Sequence, residues 1–150
     1  MSASRRTSPA REVEAVADRL QSAALHLSRR LREEDDALGI SPSRLSALSV
    51  VVVTGPLGIG DLAAAEGVAA STMTRLVDGL ERDGLVERAP DPDDRRGVLV
   101  HATPKGTRLL HRVRRRRLGS LASGLRTLSD ADLAAVARGA ELMERLTRDG

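Results

Sequence analysis

The 150-residue sequence contains no cysteine, phenylalanine, tryptophan or tyrosine. Without thiols it can form no disulfide, no zinc-thiolate site and no thiol-oxidation switch. Without aromatics the core must be built from Leu, Val, Ile, Ala and Met, and any ligand pocket lacks a wall on which a planar ring can stack. No run approaches the roughly 20 apolar residues of a membrane span, and the opening MSASRRTSPAR carries no apolar segment behind its basic residues. A cytoplasmic location and no membrane partner are therefore expected. Histidine is scarce: His26, His101 and His111 fall in different elements, with no nucleophile elbow, zinc helix or glycine-rich phosphate loop. Catalysis needs a clustered nucleophile, base and orienter, so the expectation is no enzyme, no metal site and no cofactor.

The length gives room for one domain with a real core and no separate fold beside it. Net charge is only +3 with 30% charged residues, yet arginine is concentrated between Arg75 and Arg117. A local basic patch of this kind suits phosphates better than the total charge implies.

The informative stretch runs from Ile59 to Gly106. It reads as a short helix, a turn, a second helix and a hairpin with a charged tip. In the second helix Met73, Leu76, Val77 and Leu80 stand at i, i+3, i+4 and i+7 and share one face. The other face carries Ser71, Thr72, Thr74, Arg75, Asp78 and Arg82, short hydroxyls and a forked cation of the kind that touches base edges from a recognition helix. Before it, Leu62 and Ala63 pack the first helix, Gly67 permits the left-handed turn, and Val68 is expected to plug the angle. An ordinary helical hairpin in a core would share this pattern; the strands that follow favour helix-turn-helix. Leu85–Arg88 and Val98–His101 are strand-like, joined by APDPDDRRG, which is dense in turn formers. At this wing tip Asp94 and Arg96 lie two apart on one side of an extended strand, so the carboxylate can orient the guanidinium. Arg96 so held suits a narrow A/T-rich minor groove, with Arg95 against phosphate.

Taken in order, Leu62-Ala63, Gly67-Val68, the run Ser71 to Val77, Leu80-Glu81, Gly84-Leu85-Val86, Asp91-Pro92, Asp94-Arg95-Arg96, Thr103 and Gly106 resemble the MarR family of winged helix-turn-helix regulators. The resemblance implies a mainly α fold with a small β wing, whose N- and C-terminal helices form the dimerisation region. It implies a homodimer on double-stranded DNA, with one recognition helix per subunit in successive major grooves of a pseudo-palindromic operator and each wing Arg in the adjacent minor groove. Repression by occupancy is expected, with release by a small anionic or phenolic ligand as the family's usual device; Arg29, Arg30, Arg44 and Arg112 are candidates to hold an anion. The alternative is a winged helix used for sequence-neutral DNA packaging or protein contact. Three residues depart from the family's pattern. Ala69 replaces a capping Ser or Asp, which removes about 1 kcal/mol or shifts the cap to Ser71. Glu66 replaces a Leu, and Gly79 replaces a basic residue that points at the DNA backbone.

The rest of the chain is organised around this lobe. Residues 1–10 read as a disordered arm, 11–54 as N-terminal helices, 55–106 as the winged lobe and 107–150 as C-terminal helices. Val13, Val16, Leu20, Ala24, Leu27 and Leu31 write one apolar stripe, and Leu133, Val136, Ala137, Ala140, Met143 and Leu146 write another. Val13, Val16 and Leu20 with Leu142, Met143 and Leu146 are the expected dimer contacts, since such stripes exceed what one small subunit covers. Ser41-Pro42 starts a helix by its cap although Val50 to Val53 favour a strand. Leu57-Gly58-Ile59 should pair with the wing. Arg108, Arg112 and Arg114 to Arg117 give the next helix either a phosphate-facing or dimer-spanning basic surface, or a solvated face.

Overall fold

A computed structural model describes residues 9–94 and 97–148. Among them are six helices and three strands: α1 Pro9–Asp36, α2 Pro42–Thr54, β1 Leu57–Gly58, α3 Ile59–Ala65, α4 Ala70–Arg82, β2 Val86–Pro90, β3 Val98–Ala102, α5 Pro104–Leu125 and α6 Asp130–Arg148. The chain divides into two units, at Val113/Arg114 within α5.

The core of the first unit is an apolar knot that the missing aromatics leave to aliphatic chains. Leu45, Leu48 and Val51 of α2, Leu62 of α3, Met73, Val77 and Leu80 of α4, Val86 and Val100 of the sheet and Val113 of α5 are all buried. The valine run illustrates how packing overrides propensity. Leu45, Leu48 and Val51 recur every three residues and are buried together, while Val53 at the helix end is 77% exposed. That spacing brings three apolar chains to one side only in a helix, so α2 forms despite its β-branched residues. Pro42 at its first turn and Gly55 at its end, with φ +92°, bound it.

The sheet is antiparallel with order β1-β3-β2. Leu57 pairs with Val100, so the short strand expected before α3 does join the wing. Across β2 and β3, Val86 faces Ala102 and Pro90 faces Val98. β2 thus starts one residue later than the sequence pattern implied, because Leu85 is taken up in the turn that closes α4, and ends two later, while β3 starts at Val98 as expected and ends one later. His101 is a strand residue opposite Glu87.

α1 begins at Pro9, so Pro9 and Ala10 belong to a helix and not to the expected arm; residues 1–8 lie outside the described residues. At 28 residues it is about 42 Å long, and every side chain from Ala10 to Arg30 is exposed.

In the second unit, α5 stops at Leu125. Ser129 then caps α6: its hydroxyl donates to the Asp132 carboxylate (2.7 Å) and accepts the Asp132 N–H (3.2 Å). No helix among the described residues is long and apolar enough to cross a membrane.

Candidate nucleic-acid interface

The turn between α3 and α4 closes on backbone bonds: the Val68 N–H donates to the Ala63 carbonyl (3.0 Å) and Gly67 to Ala64 (3.2 Å), with Gly67 at φ +64°. This left-handed geometry is the reason a glycine stands there. Val68 is a little over a third exposed, while Leu62 and Ala63 of the preceding helix are buried. Glu66, in a place where an apolar residue is usual, is accommodated by polarity: the Ser46 hydroxyl of α2 donates to its carboxylate (3.0 Å).

α4 starts at Ala70 with Ala69 as an N-cap that makes no side-chain bond, so the cap is absent and does not shift to Ser71. Burial of Met73, Val77 and Leu80 turns the opposite stripe outward. At 100° per residue, Ser71, Arg75, Asp78 and Arg82 fall within about 60° of one another on that stripe, with Thr72 and Thr74 on opposite flanks. Ser71, Thr72 and Arg75 are exposed. Thr74 is half-buried and its hydroxyl donates to the Ala70 carbonyl (2.9 Å). Among the described residues Arg75 has no ion pair, and it projects from the N-terminal half of the helix, where the dipole is positive.

Asp78 and the C-terminal half of α4 are differently employed. The Arg88 guanidinium of β2 donates to the Asp78 carboxylate (2.6 Å) and to the Glu81 carboxylate, while the Arg88 backbone N–H donates to Glu81 as well (3.2 Å). Asp78 thus serves the wing, not the exposed reading face to which its helical position assigned it. Burial disfavours the Arg88 charge, but the hydrogen bonds and charges of Asp78 and Glu81 outweigh this and raise its pKa.

On the other flank Arg44 of α2 donates to the Gly79 carbonyl (2.6 Å) and to the Asp83 carboxylate. Hydrogen bonding from Arg44, then its charge, holds the Asp83 carboxyl below its ordinary range. Arg44 is therefore committed to α4 and is withdrawn as an anion-binding candidate.

The end of α4 is closed by Gly84 at φ +68°, the Leu85 N–H on the Leu80 carbonyl (2.9 Å), and Lys105, whose ammonium donates to the Asp83 carbonyl (2.7 Å). Cations gathered at a helix C-terminus complement its negative dipole end. Thr103 ties the wing base to this closure: its hydroxyl donates to Gly84 (2.7 Å) and accepts the Gly106 N–H (3.1 Å), and its own N–H reaches the Leu85 carbonyl (3.1 Å).

At the wing tip the Asp91 N–H donates to Gly97 (3.0 Å), the Gly97 N–H to the Asp94 carbonyl (2.9 Å), and the Asp93 N–H to the Asp91 carboxylate (2.9 Å). A Cβ on Gly97 would lie 2.9 Å from that of Asp91, which is why the tip ends in glycine. Asp94 is exposed; Arg95 and Arg96, the two cations expected at the tip, lie outside the described residues.

A helix-turn-helix followed by a hairpin packed on the second helix is the geometry that comparison with known proteins can decide. An HTH-type transcriptional regulator of Mycobacterium bovis is 38% identical over 128 residues, covering 85% of this chain and 90% of the relative. The MarR family model matches residues 40–98. The chain belongs to the MarR family. A solved MarR family protein from Bacillus stearothermophilus is 30% identical with a TM-score of 0.79, covering 95% of this chain and 99% of that one. A transcriptional regulator from Thermotoga maritima superposes as well, at 26% identity and TM-score 0.79, over 91% and 96% of the two chains. This MarR protein is thus a DNA-binding transcriptional regulator with a winged helix-turn-helix.

For a MarR chain two further placements matter. Val13, Val16 and Leu20 on α1, and Leu142, Met143 and Leu146 on α6, are all exposed, up to 70% for Val13 and 71% for Leu146. The sequence does not show that Arg88, Lys105 and Thr103 hold the recognition helix: Arg88 reads there only as a strand residue, Thr103 only as part of the family pattern, and Lys105 does not stand out. One signal was available for Arg88: Asp78 and Glu81 stand at i and i+3 on one flank, a carboxylate pair that asks for a shared cation.

Proposed function

We propose that this MarR protein is a homodimeric repressor that reads a pseudo-palindromic operator through Ser71, Thr72, Thr74 and Arg75 of α4. Arg95 and Arg96 of the wing take the flanking phosphate and minor groove, with Asp94 orienting Arg96. The observation that carries the reading is the exposed face of the N-terminal half of α4, where Arg75, without an ion pair among the described residues, and short hydroxyls stand on a helix whose other half is bonded to α2 and β2 and whose C-cap is bonded to α5.

A second copy supports the uncovered stripes. Side chains of α1 from Ala10 to Arg30 are exposed, and Val13, Val16, Leu20, Leu142, Met143 and Leu146 present apolar surface that association would bury. Two-fold pairing then sets the recognition helices about one turn of DNA apart, roughly 10 bp. Occupancy of promoter DNA in the cytoplasm blocks polymerase, and a small anionic or phenolic ligand that alters the helix separation releases it. Arg29, Arg30 and Arg112 remain as cations for such an anion.

The test is selection of duplexes from random DNA, followed by gel shifts of Arg75→Ala against the selected and a scrambled duplex. Loss of a bidentate base contact costs about 1–3 kcal/mol and relaxes preference at one base pair. Equal loss on both duplexes, or no loss, would establish the sequence-neutral alternative.

A further inference from the structure

We infer that Arg44, which makes no base or phosphate contact in the proposed reading, is a positioning residue that fixes the seat of the recognition helix. The inference rests on the DNA-reading function proposed above.

Hydrophobic burial alone does not fix α4. The knot of Met73, Val77 and Leu80 chooses which stripe faces inward, but apolar contact is non-directional and tolerates small sliding and rolling. Directional bonds must supply the rest. On the Thr72 flank Arg44 supplies them from α2, donating to the Gly79 carbonyl and the Asp83 carboxylate one turn apart.

Gly79 makes this approach possible. A Cβ there would lie 3.3 Å from Nε of Arg44, 3.5 Å from Cζ and 3.6 Å from Nη2, so the guanidinium rests against the bare helix backbone. The glycine costs helix propensity in the C-terminal half of α4, and the contact with Arg44 gives it a purpose. Nε is buried and, among the described residues, has no acceptor. The guanidinium is thus seated for contact with the helix, and a cation already shared between a carbonyl and a carboxylate offers little to a phosphate.

Arg75 stands one turn before Gly79, so a displacement at Gly79 is carried along the rigid helix to the group that meets the bases. Base readout depends on hydrogen bonds only a few tenths of an ångström wide in tolerance. Loss of the seat therefore degrades specific recognition and leaves the count of phosphate contacts alone.

Arg44→Met, Gly79→Ala, Asp83→Asn and the Arg44→Met/Gly79→Ala double variant would be titrated, as the full chain, against the duplex selected by the wild type and against scrambled DNA across a salt series. Stoichiometric titration gives the active fraction separately from affinity. Arg44→Met and Gly79→Ala should each weaken the selected duplex about tenfold, leave affinity for scrambled DNA and the log-log salt slope unchanged, and be non-additive in the double variant. Gly79→Ala keeps every charge, so it reports on position even if Arg44→Met folds poorly.

A salt slope shallower by about 0.9 in Arg44→Met, with equal loss on both duplexes, would make Arg44 a phosphate ligand and overturn the inference. A fall in active fraction with unchanged affinity would reduce it to a structural role, and unchanged binding in both single variants would also overturn it. If the wild type selects no sequence, the DNA-reading function itself fails and the inference falls with it.

Discussion

Replacing Gly106 with alanine tests how tightly the wing base is bolted to the recognition helix. A Cβ at this position would lie 2.1 Å from the Leu85 carbonyl oxygen, 3.0 Å from its carbon and 3.1 Å from Cδ1 of Leu48. An ordinary carbon–oxygen contact is about 3.3 Å, so α5 and the α4 closure must part by about 1 Å. The Thr103 N–H bond to that same carbonyl, now 3.1 Å, would be lost, and the Thr103 hydroxyl would be drawn from Gly84. Each such bond is worth about 1 kcal/mol net, and forcing a methyl into a packed contact adds about 1–3 kcal/mol. Alanine recovers about 1 kcal/mol of helix propensity. The balance is a loss of about 2–4 kcal/mol, a large share of the roughly 5–15 kcal/mol that a domain has. Urea unfolding at one fixed protein concentration should show the midpoint falling by about 1–2 M, taking a slope of about 2 kcal/mol per M. Gly60→Ala is the control: Gly60 is helical and exposed with nothing within 4 Å, so alanine there should stabilise by about 0.4–1 kcal/mol. A loss below about 1 kcal/mol at Gly106, or the same sign at both glycines, would refute the close-approach reasoning.

Arg88→Met should destabilise by about 1–2 kcal/mol, because it strips the shared cation from Asp78 and Glu81 in a half-exposed setting where solvent already screens the pair; urea unfolding of Arg88→Met beside Asp78→Asn/Glu81→Gln tests it, and indifference of both would exclude the clamp. The Asp83 carboxyl is held below its ordinary range by Arg44, so its stabilisation is complete above the unfolded carboxyl pKa and lost as pH falls through the lower folded value. A carboxyl NMR titration of Asp83 should therefore move upward in Arg44→Met, and stability should show no Asp83-dependent change near neutral pH. Leu20→Glu, in the middle of the exposed α1 stripe, should shift sedimentation from dimer toward monomer; a wild type that sediments as a monomer, or a variant that stays dimeric with unchanged melting, would count against the dimer contact.

Elements with a strong local signal were legible in the chain. The 3.6-residue spacing of Met73, Leu76, Val77 and Leu80 marked α4, the glycine at 67 marked its entry turn, and Ser129 with Asp132 marked the start of α6. The wing followed from two β-rich runs around a turn-rich tip. The exposed position of Ser71, Thr72 and Arg75 also follows from periodicity, since burying one stripe of a helix turns the other outward.

What the sequence could not decide were pairings between elements far apart in the chain. Arg44 looked like a loose cation available to an anion, and Asp78 like part of the reading face, because helical position says which way a side chain leaves the backbone but not what waits there. The fold brings Arg44 across 35 residues to Gly79 and Arg88 across ten to Asp78. The helix expected from Ser41-Pro42 does run through the valines of α2, and what the fold adds is the reason: packing of Leu45, Leu48 and Val51 against the shared core outweighs a few tenths of a kcal/mol per residue of strand propensity. Periodicity and turn chemistry are local, so the sequence alone determined the elements and their outward faces; charge partners and close backbone approaches depend on which surfaces meet, and only the tertiary structure decided those.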